Sequence, residues 1–294
     1  MLAMSVVASV APMGSFIALI WFLDRYDREP VWLMALTFLW GAVGAVLISI
    51  VVSGLFTIPI ALIAPESQMA LGTAIIAPLV EEPAKALVLL PLLLSRHFDN
   101  TTDGFVYGAT AGLGFAMSEN LIYFAVEGLG GEQGAFVQTV LVRTFYTGVM
   151  HAAATAAVGA CIGLAHFRGW TRLAIGACVG LTVGMGIHAL WNGLLTLDLV
   201  AGLDGVGFVA NLLIFPMELV FVFGLFQMCL LNEKAVIRRE LEREAREERT
   251  LPAAHAQILS SWLKRTYGRD WLPSHIARGP YVRTATTLAM RRHQ

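Results

Sequence analysis

Charge is what this 294-residue chain has least of. Only 14% of its residues are Asp, Glu, Lys or Arg, while 57% are hydrophobic and the mean hydropathy is +0.69. Soluble domains carry about 25% charged residues, which cover their surface. The composition therefore excludes an ordinary soluble domain, and no nucleic-acid partner is expected.

Cysteine is scarce, and so is basic charge at the N-terminus. The three cysteines, Cys161, Cys178 and Cys229, lie in apolar stretches without the spacing of a metal site, so we interpret them as small apolar residues. The first apolar segment has no basic residue before it, and Asp24-Arg25 follow it directly. It is not predicted to be a cleaved signal peptide.

Long apolar runs are abundant. A membrane-spanning helix needs about 20 mostly apolar residues, and backbone groups in lipid are satisfied only by helices or closed barrels. The runs are continuous rather than alternating, so we predict an all-α, polytopic membrane helix bundle with about seven spans. The predicted spans are 4–23, 31–53, 69–94, 104–126, 136–164, 172–197 and 206–231.

The few basic residues of the apolar region occupy alternate loops. They follow the first, third and fifth predicted spans, at Arg25, Arg28, Arg96, Arg168 and Arg172, whereas the intervening loops contain neither Lys nor Arg. By the positive-inside rule, we expect the N-terminus outside and the C-terminus in the cytoplasm.

Charge changes sign along the chain. Residues 1–232 hold 7 Lys and Arg against 14 Asp and Glu, and residues 233–294 hold 13 against 7. We therefore divide the chain into a transmembrane helical domain, 1–232, and a basic cytoplasmic tail, 233–294. Pairs such as Arg238 and Glu242, four residues apart, predict that the tail begins as a solvated helix.

Two carboxylates and an amine, Glu81, Glu82 and Lys85, stand near the centre of an apolar span that also contains prolines. A charge at the bilayer centre costs about 2.5–3.5 kcal/mol and marks a functional site by default. Glu81 and Lys85 are four residues apart and share a helix face, so we interpret Lys85 as the counter-ion of Glu81.

Other spans add polar residues at a similar depth. With helices alternating in direction, Glu119, His151, His188 and Asn192 fall in one layer with the two glutamates. Imidazole and carboxylate are zinc ligands, and a catalytic zinc keeps one position open for water. Three alternatives stay open at this point. The polar residues could join helices through hydrogen bonds, or the protein could be a transporter or proton-coupled carrier, or a non-catalytic membrane scaffold.

At these residues the chain resembles the PrsW-type intramembrane metalloproteases, a family related to the CAAX prenyl endopeptidases. The resemblance covers roughly residues 15–230 and rests on four motifs in order. These are Glu81-Glu82-Pro-Ala-Lys85, Glu119-Asn120 in "GATAGLGFAMSENLIY", Arg143 and His151 in "RTFYTGVMHAAAT", and His188 and Asn192 in "HALWN". It implies zinc-dependent cleavage of a single-span membrane protein, such as an anti-sigma factor, in a bacterial plasma membrane.

The resemblance also implies roles. Glu81 and Glu82 match the catalytic pair, and Asn192 is expected to polarise the scissile carbonyl. From the sequence itself we expect Glu81 to be the base, because Lys85 on the same helix face would keep it ionised. The metal is expected at Glu119, His151 and His188. Arg143 is expected to bind the substrate backbone or pair with an acid, and Glu218, outside the motifs, is expected to pair with Lys85 or Arg143.

Overall fold

The computed structural model describes residues 1–203, 205–248, 251–268, 271–272 and 275–293, and its regular elements are all helical. The long helices are α1 (Leu2–Leu23), α2 (Val31–Ile63), α3 (residues 65–86), α4 (Thr101–Gly130), α5 (Gln133–Arg168), α6 (Trp170–Ala201) and α7 (Val206–Glu247). A short helix, Leu89–Leu92, follows α3. The tail adds α8 (Ala253–Leu259), α9 (Trp262–Tyr267) and α10 (His275–His293).

Five of these helices are long and apolar enough to cross a membrane: α1, α2, α5, α6 and α7. Of the predicted span 69–94, residues 69–86 lie in α3 and 89–92 form the short helix after it, and the span 104–126 lies within α4. The helical membrane bundle is thus confirmed, while the count of seven spans stays a prediction.

Helix α4 forms the centre of the bundle. It begins at a capping box, in which Asn100 accepts hydrogen bonds from the backbone N–H groups of Thr102 and Asp103 while Asp103 accepts from Asn100 N. Residues 101–116 are all buried. With α1, α2 and α5 packed around it, this helix fixes the position of Glu119 beyond its buried half.

Glycines bring α4 and α5 into backbone contact. A Cβ atom added to Gly108 would lie 2.3 Å from the Thr155 carbonyl oxygen, and one added to Gly112 would lie 2.3 Å from that of His151. Such close approach is the usual device for helix association in membranes. It sets the depth of His151 and Thr155 beside α4.

Three helices contain π turns: Trp40–Ala45 in α2, Gly72–Ile76 in α3 and Arg143–Thr147 in α5. A π turn inserts an extra residue and rotates the helix beyond it, and such turns are frequent at functional sites. The turns in α3 and α5 lie just before Glu81 and His151.

The tail is folded, not simply solvated. Helix α7 runs without interruption past residue 232, the predicted boundary. Its face at Val236, Ile237 and Leu241 packs in an apolar cluster with residues of α8 and α10, including Leu259 and Met290. The predicted Arg238–Glu242 pair is present at 2.8 Å. The predicted solvated helix is therefore correct for the charged face only. It was wrong for the apolar face, whose residues lie between the charged ones in the sequence and are buried.

We expect Gly108→Ala to lower the melting temperature of the purified protein in detergent. Its methyl group must push the α4 and α5 backbones apart, and overpacking typically costs about 1–3 kcal/mol. Gly186→Ala is the matched control, because nothing lies within 4 Å of the position of its added Cβ. Equal melting temperatures for the two variants would contradict the close contact of α4 and α5.

Candidate active site

Glu82 lies at the centre of the polar cluster and is fully buried. Its Oε1 is 2.7 Å from Lys85 Nζ and 2.9 Å from His188 Nδ1, and its Oε2 accepts a hydrogen bond of 2.8 Å from Thr155 Oγ1. Helices α3, α5 and α6 therefore meet at a single carboxylate. With both oxygens bonded, Glu82 orients the groups around it.

Lys85 is also fully buried. Besides Glu82, its ammonium lies 2.8 Å from His151 Nδ1 and 4.1 Å from the centre of the Phe115 ring, and Glu81 Oε2 is more distant at 3.5 Å. Lys85 therefore forms the predicted ion pair with Glu81, but a shorter one with Glu82. Its closest carboxylate is three residues back along α3, not four.

Glu119 joins α4 to α5. Its Oε1 lies 2.9 Å from Arg143 Nη2, and its Oε2 lies 2.8 Å from His151 Nε2. Arg143 also donates to Asn120 Oδ1 at 3.1 Å and covers the Tyr123 ring at 3.6 Å. Of the two expectations for Arg143, pairing with an acid is the one observed.

Glu81 differs from the other two glutamates. Its Oε2 is buried and has no hydrogen-bond partner among the described residues. Lys85 Nζ is 3.5 Å away and His188 Nε2 is 3.9 Å away, and neither forms a hydrogen bond with it. A buried carboxylate oxygen left without a hydrogen bond is costly unless a proton or cation compensates it.

One set of possible metal ligands occurs in the described part of the chain: Glu81, His151 and His188, whose donor atoms all lie within 4.8 Å of one another. Two imidazoles and a carboxylate fit zinc. When His188 carries its proton on Nδ1 and donates it to Glu82, Nε2 is left to bind metal, as in other carboxylate–histidine–metal arrangements. Both nitrogens of His151 have partners, so an ion would replace one of them.

This set differs from the predicted one in a single residue. The sequence placed Glu119 among the ligands and Glu81 as the base. The structure gathers Glu81 with the two histidines, while Glu119 bonds to Arg143 and to His151. Glu119 is thus placed to orient His151, as Glu82 is placed to orient His188.

Asn192 lies one turn beyond His188 on α6, as predicted. Its Nδ2 donates a hydrogen bond of 3.0 Å to the carbonyl oxygen of Thr73, in the π turn of α3. One amide hydrogen therefore joins α6 to α3, and the second is left for another acceptor.

Thr155 and Glu218 are two further polar residues of the spans. Thr155, four residues beyond His151, bonds to Glu82, and the same-face spacing on α5 was the signal that could have indicated it. Glu218 does not pair with Lys85 or Arg143 in the described residues, and its Oε1 is buried without a hydrogen-bond partner there. The expectation for Glu218 was wrong.

We expect Glu82→Gln to weaken zinc binding by about 10–100-fold, the usual effect of losing the partner that orients a metal-binding histidine. Zinc affinity of the purified variant, measured by competition with a chromophoric chelator, checks this. Thr155→Ser keeps a hydroxyl beside Glu82 and is the control, with affinity expected near that of the unmodified protein. Unchanged affinity in Glu82→Gln would contradict the orienting role.

The chain is similar to the members of one protein family. The model of the PrsW family intramembrane metalloproteases matches residues 29–223. Proteins named Protease PrsW are similar to this chain: one from Clostridioides difficile (strain 630) is 36% identical over 105 residues, which are 35% of this chain and 43% of that protein. One from Bacillus subtilis (strain 168) is 27% identical over 194 residues, 64% of this chain and 81% of that protein.

No solved structure matches the chain. The family match spans α2 to the first half of α7 and includes Glu81, Glu119, His151 and His188. It covers well over half of the sequence, and it contains the whole polar cluster. The chain therefore belongs to the PrsW family of intramembrane metalloproteases.

Proposed function

We propose that this protein hydrolyses peptide bonds of a membrane protein inside the bilayer, with a zinc ion held by Glu81, His151 and His188. The observation that carries the proposal is the convergence of these three donors, one of them a carboxylate oxygen without a hydrogen bond, in a buried cluster. Zinc bound by three protein ligands activates a water molecule as the nucleophile.

The surrounding residues have separate tasks in this proposal. Glu82, with Lys85 and Thr155, fixes the ring of His188. Glu119, held in turn by Arg143, fixes the ring of His151. Each imidazole is thus oriented by a carboxylate that is itself hydrogen-bonded, the arrangement that raises ligand basicity at metal sites.

Asn192 is the group we assign to the substrate carbonyl. Its amide is anchored at Thr73 through one hydrogen, and its other N–H lies on the same helix face as His188. Peptide hydrolysis builds negative charge on the carbonyl oxygen, and a pre-placed donor for that charge is worth roughly 2.7–4 kcal/mol in other hydrolases.

The proposed substrate is a single-span membrane protein, and an anti-sigma factor is the example that the family resemblance suggests. The proposed location is a bacterial plasma membrane, with the N-terminus outside and the tail in the cytoplasm. The substrate and the location are suggested by the family motifs of the sequence, and the orientation by its distribution of arginine.

We expect Glu81→Gln to abolish cleavage while the protein still inserts and folds. Gln keeps the volume but is neither an anionic ligand nor a base. The measurement is zinc-chelator-sensitive cleavage of single-span proteins in liposomes, read by mass spectrometry, with Glu66→Gln as the control, because Glu66 is exposed at the start of the same helix.

The zinc content of Glu81→Gln separates the two tasks available to this carboxylate. An inactive variant without zinc identifies a ligand, as proposed. An inactive variant that keeps a full equivalent of zinc identifies the base predicted from the sequence instead. Full activity in Glu81→Gln would overturn the metalloprotease mechanism at this residue.

The orientation is testable in a variant whose three natural cysteines are replaced. We expect an impermeant thiol reagent to label Gly130→Cys from outside intact cells and to leave Ala254→Cys unlabelled until the membrane is opened. Both positions are exposed, the first at the end of α4 and the second in the tail. The reverse labelling pattern would contradict this orientation.

A further inference from the structure

A cavity of about 890 Å³ lies where the tail meets one end of the helix bundle. Arginines line it from both sides. Those from the loops after α1 and α3 are Arg25, Arg28 and Arg96, and those from the tail are Arg265, Arg278, Arg283 and Arg291. Seven arginines against four carboxylic acids give this arginine cavity a formal excess of three positive charges.

Two of these guanidinium groups are incompletely bonded. Arg265 is only 7% exposed and donates through Nη2 to the carbonyl oxygens of Arg25 and Tyr26, but its buried Nη1 has no hydrogen-bond partner in the part of the chain that the structure describes. The same holds for Arg278 Nε, although Arg278 Nη2 donates to Gly268 O at 2.8 Å. Buried, charged donors of this kind need an acceptor.

No acid of the cavity forms a hydrogen bond or ion pair with its arginines among the described residues, although Asp27 lies near enough to Arg265 and Arg283 to attract them electrostatically. Asp103 Oδ2 accepts from the backbone N–H groups of Asp99 and Asn100, at 2.7 and 3.0 Å. Glu29 bonds to the Tyr107 hydroxyl, and burial raises the pKa of Glu29 to about 8, so this side chain is mostly neutral at pH 7. In the described residues no ion pair includes Arg96 or Arg283.

We propose that the arginine cavity binds a phosphate-bearing anion, which joins the tail to the helix bundle. Guanidinium forks match phosphate oxygens in pairs, which makes arginine the preferred residue for such recognition. Contributions from two loops and the tail mean that the anion is contacted from both parts of the chain. The anion is a phospholipid headgroup or a soluble phosphate, since the cavity adjoins loops that leave predicted membrane spans.

The test uses the full-length protein in a non-ionic detergent at constant ionic strength. Isothermal titration calorimetry with inorganic phosphate forms one arm, and titration with dihexanoyl-phosphatidylglycerol forms the other. The variant is Arg96→Gln/Arg283→Gln, which removes two exposed side chains of the cavity. The control is Arg168→Gln/Arg172→Gln, which removes two exposed arginines, at the end of α5 and in the first turn of α6, that do not line the cavity.

We expect the unmodified protein to bind about one equivalent of anion. The cavity variant should lose at least about tenfold in affinity, since it removes two charged hydrogen-bond donors, while the control should bind normally. Binding of phosphate alone identifies a soluble anion, and binding of phosphatidylglycerol only identifies a lipid headgroup. Absence of both, or equal loss in the two double variants, overturns the proposal.

Discussion

The ion pair between Glu82 and Lys85 is the interaction on which the arrangement of the site depends. Both side chains are fully buried, and their charged atoms are 2.7 Å apart. Breaking a buried pair by removing one partner usually costs about 3–5 kcal/mol. The pair is tolerable only if its remaining hydrogen bonds are also satisfied. That requirement draws in Thr155 and His188, and with them α5 and α6, against α3.

Backbone geometry makes these contacts possible. The glycines of α4 let α5 approach until its carbonyl oxygens lie where a Cβ atom would clash, which leaves His151 directly beside Glu119. The π turns in α3 and α5 rotate the following residues, which turns the Glu82–Lys85 pair of α3 and His151 of α5 toward each other. Asn192 adds a connection from α6 to the π turn of α3. The chemistry of the site therefore depends on positions that carry no polar side chain, Gly108 and Gly112 among them.

The sequence predicted the helical bundle and the polar cluster because charges stand out in long apolar runs. It could not predict which oxygen meets which nitrogen. Glu81 and Glu82 are both close enough to Lys85 along a helix, and the choice depends on how α3 is rotated by its π turn and on what α5 presents to it. The family resemblance implied Glu119 as a ligand, whereas the geometry groups Glu81 with the two histidines. The apolar face of the tail was missed because Arg and Glu dominate its composition.

Helix α4 has a role at each end. At its first turn Asp103 lines the arginine cavity, and 16 residues later Glu119 contacts His151, a distance of about 24 Å along a straight helix. The segment between them is buried on all sides and anchored by backbone contacts to α5, so it has little room to bend. Movement of its first turn would therefore be passed on as a shift of the whole helix. In this architecture the rigid α4, beside the continuous α7, connects the tail to the catalytic layer, and the glycine contacts that place His151 also limit how far α4 can slide.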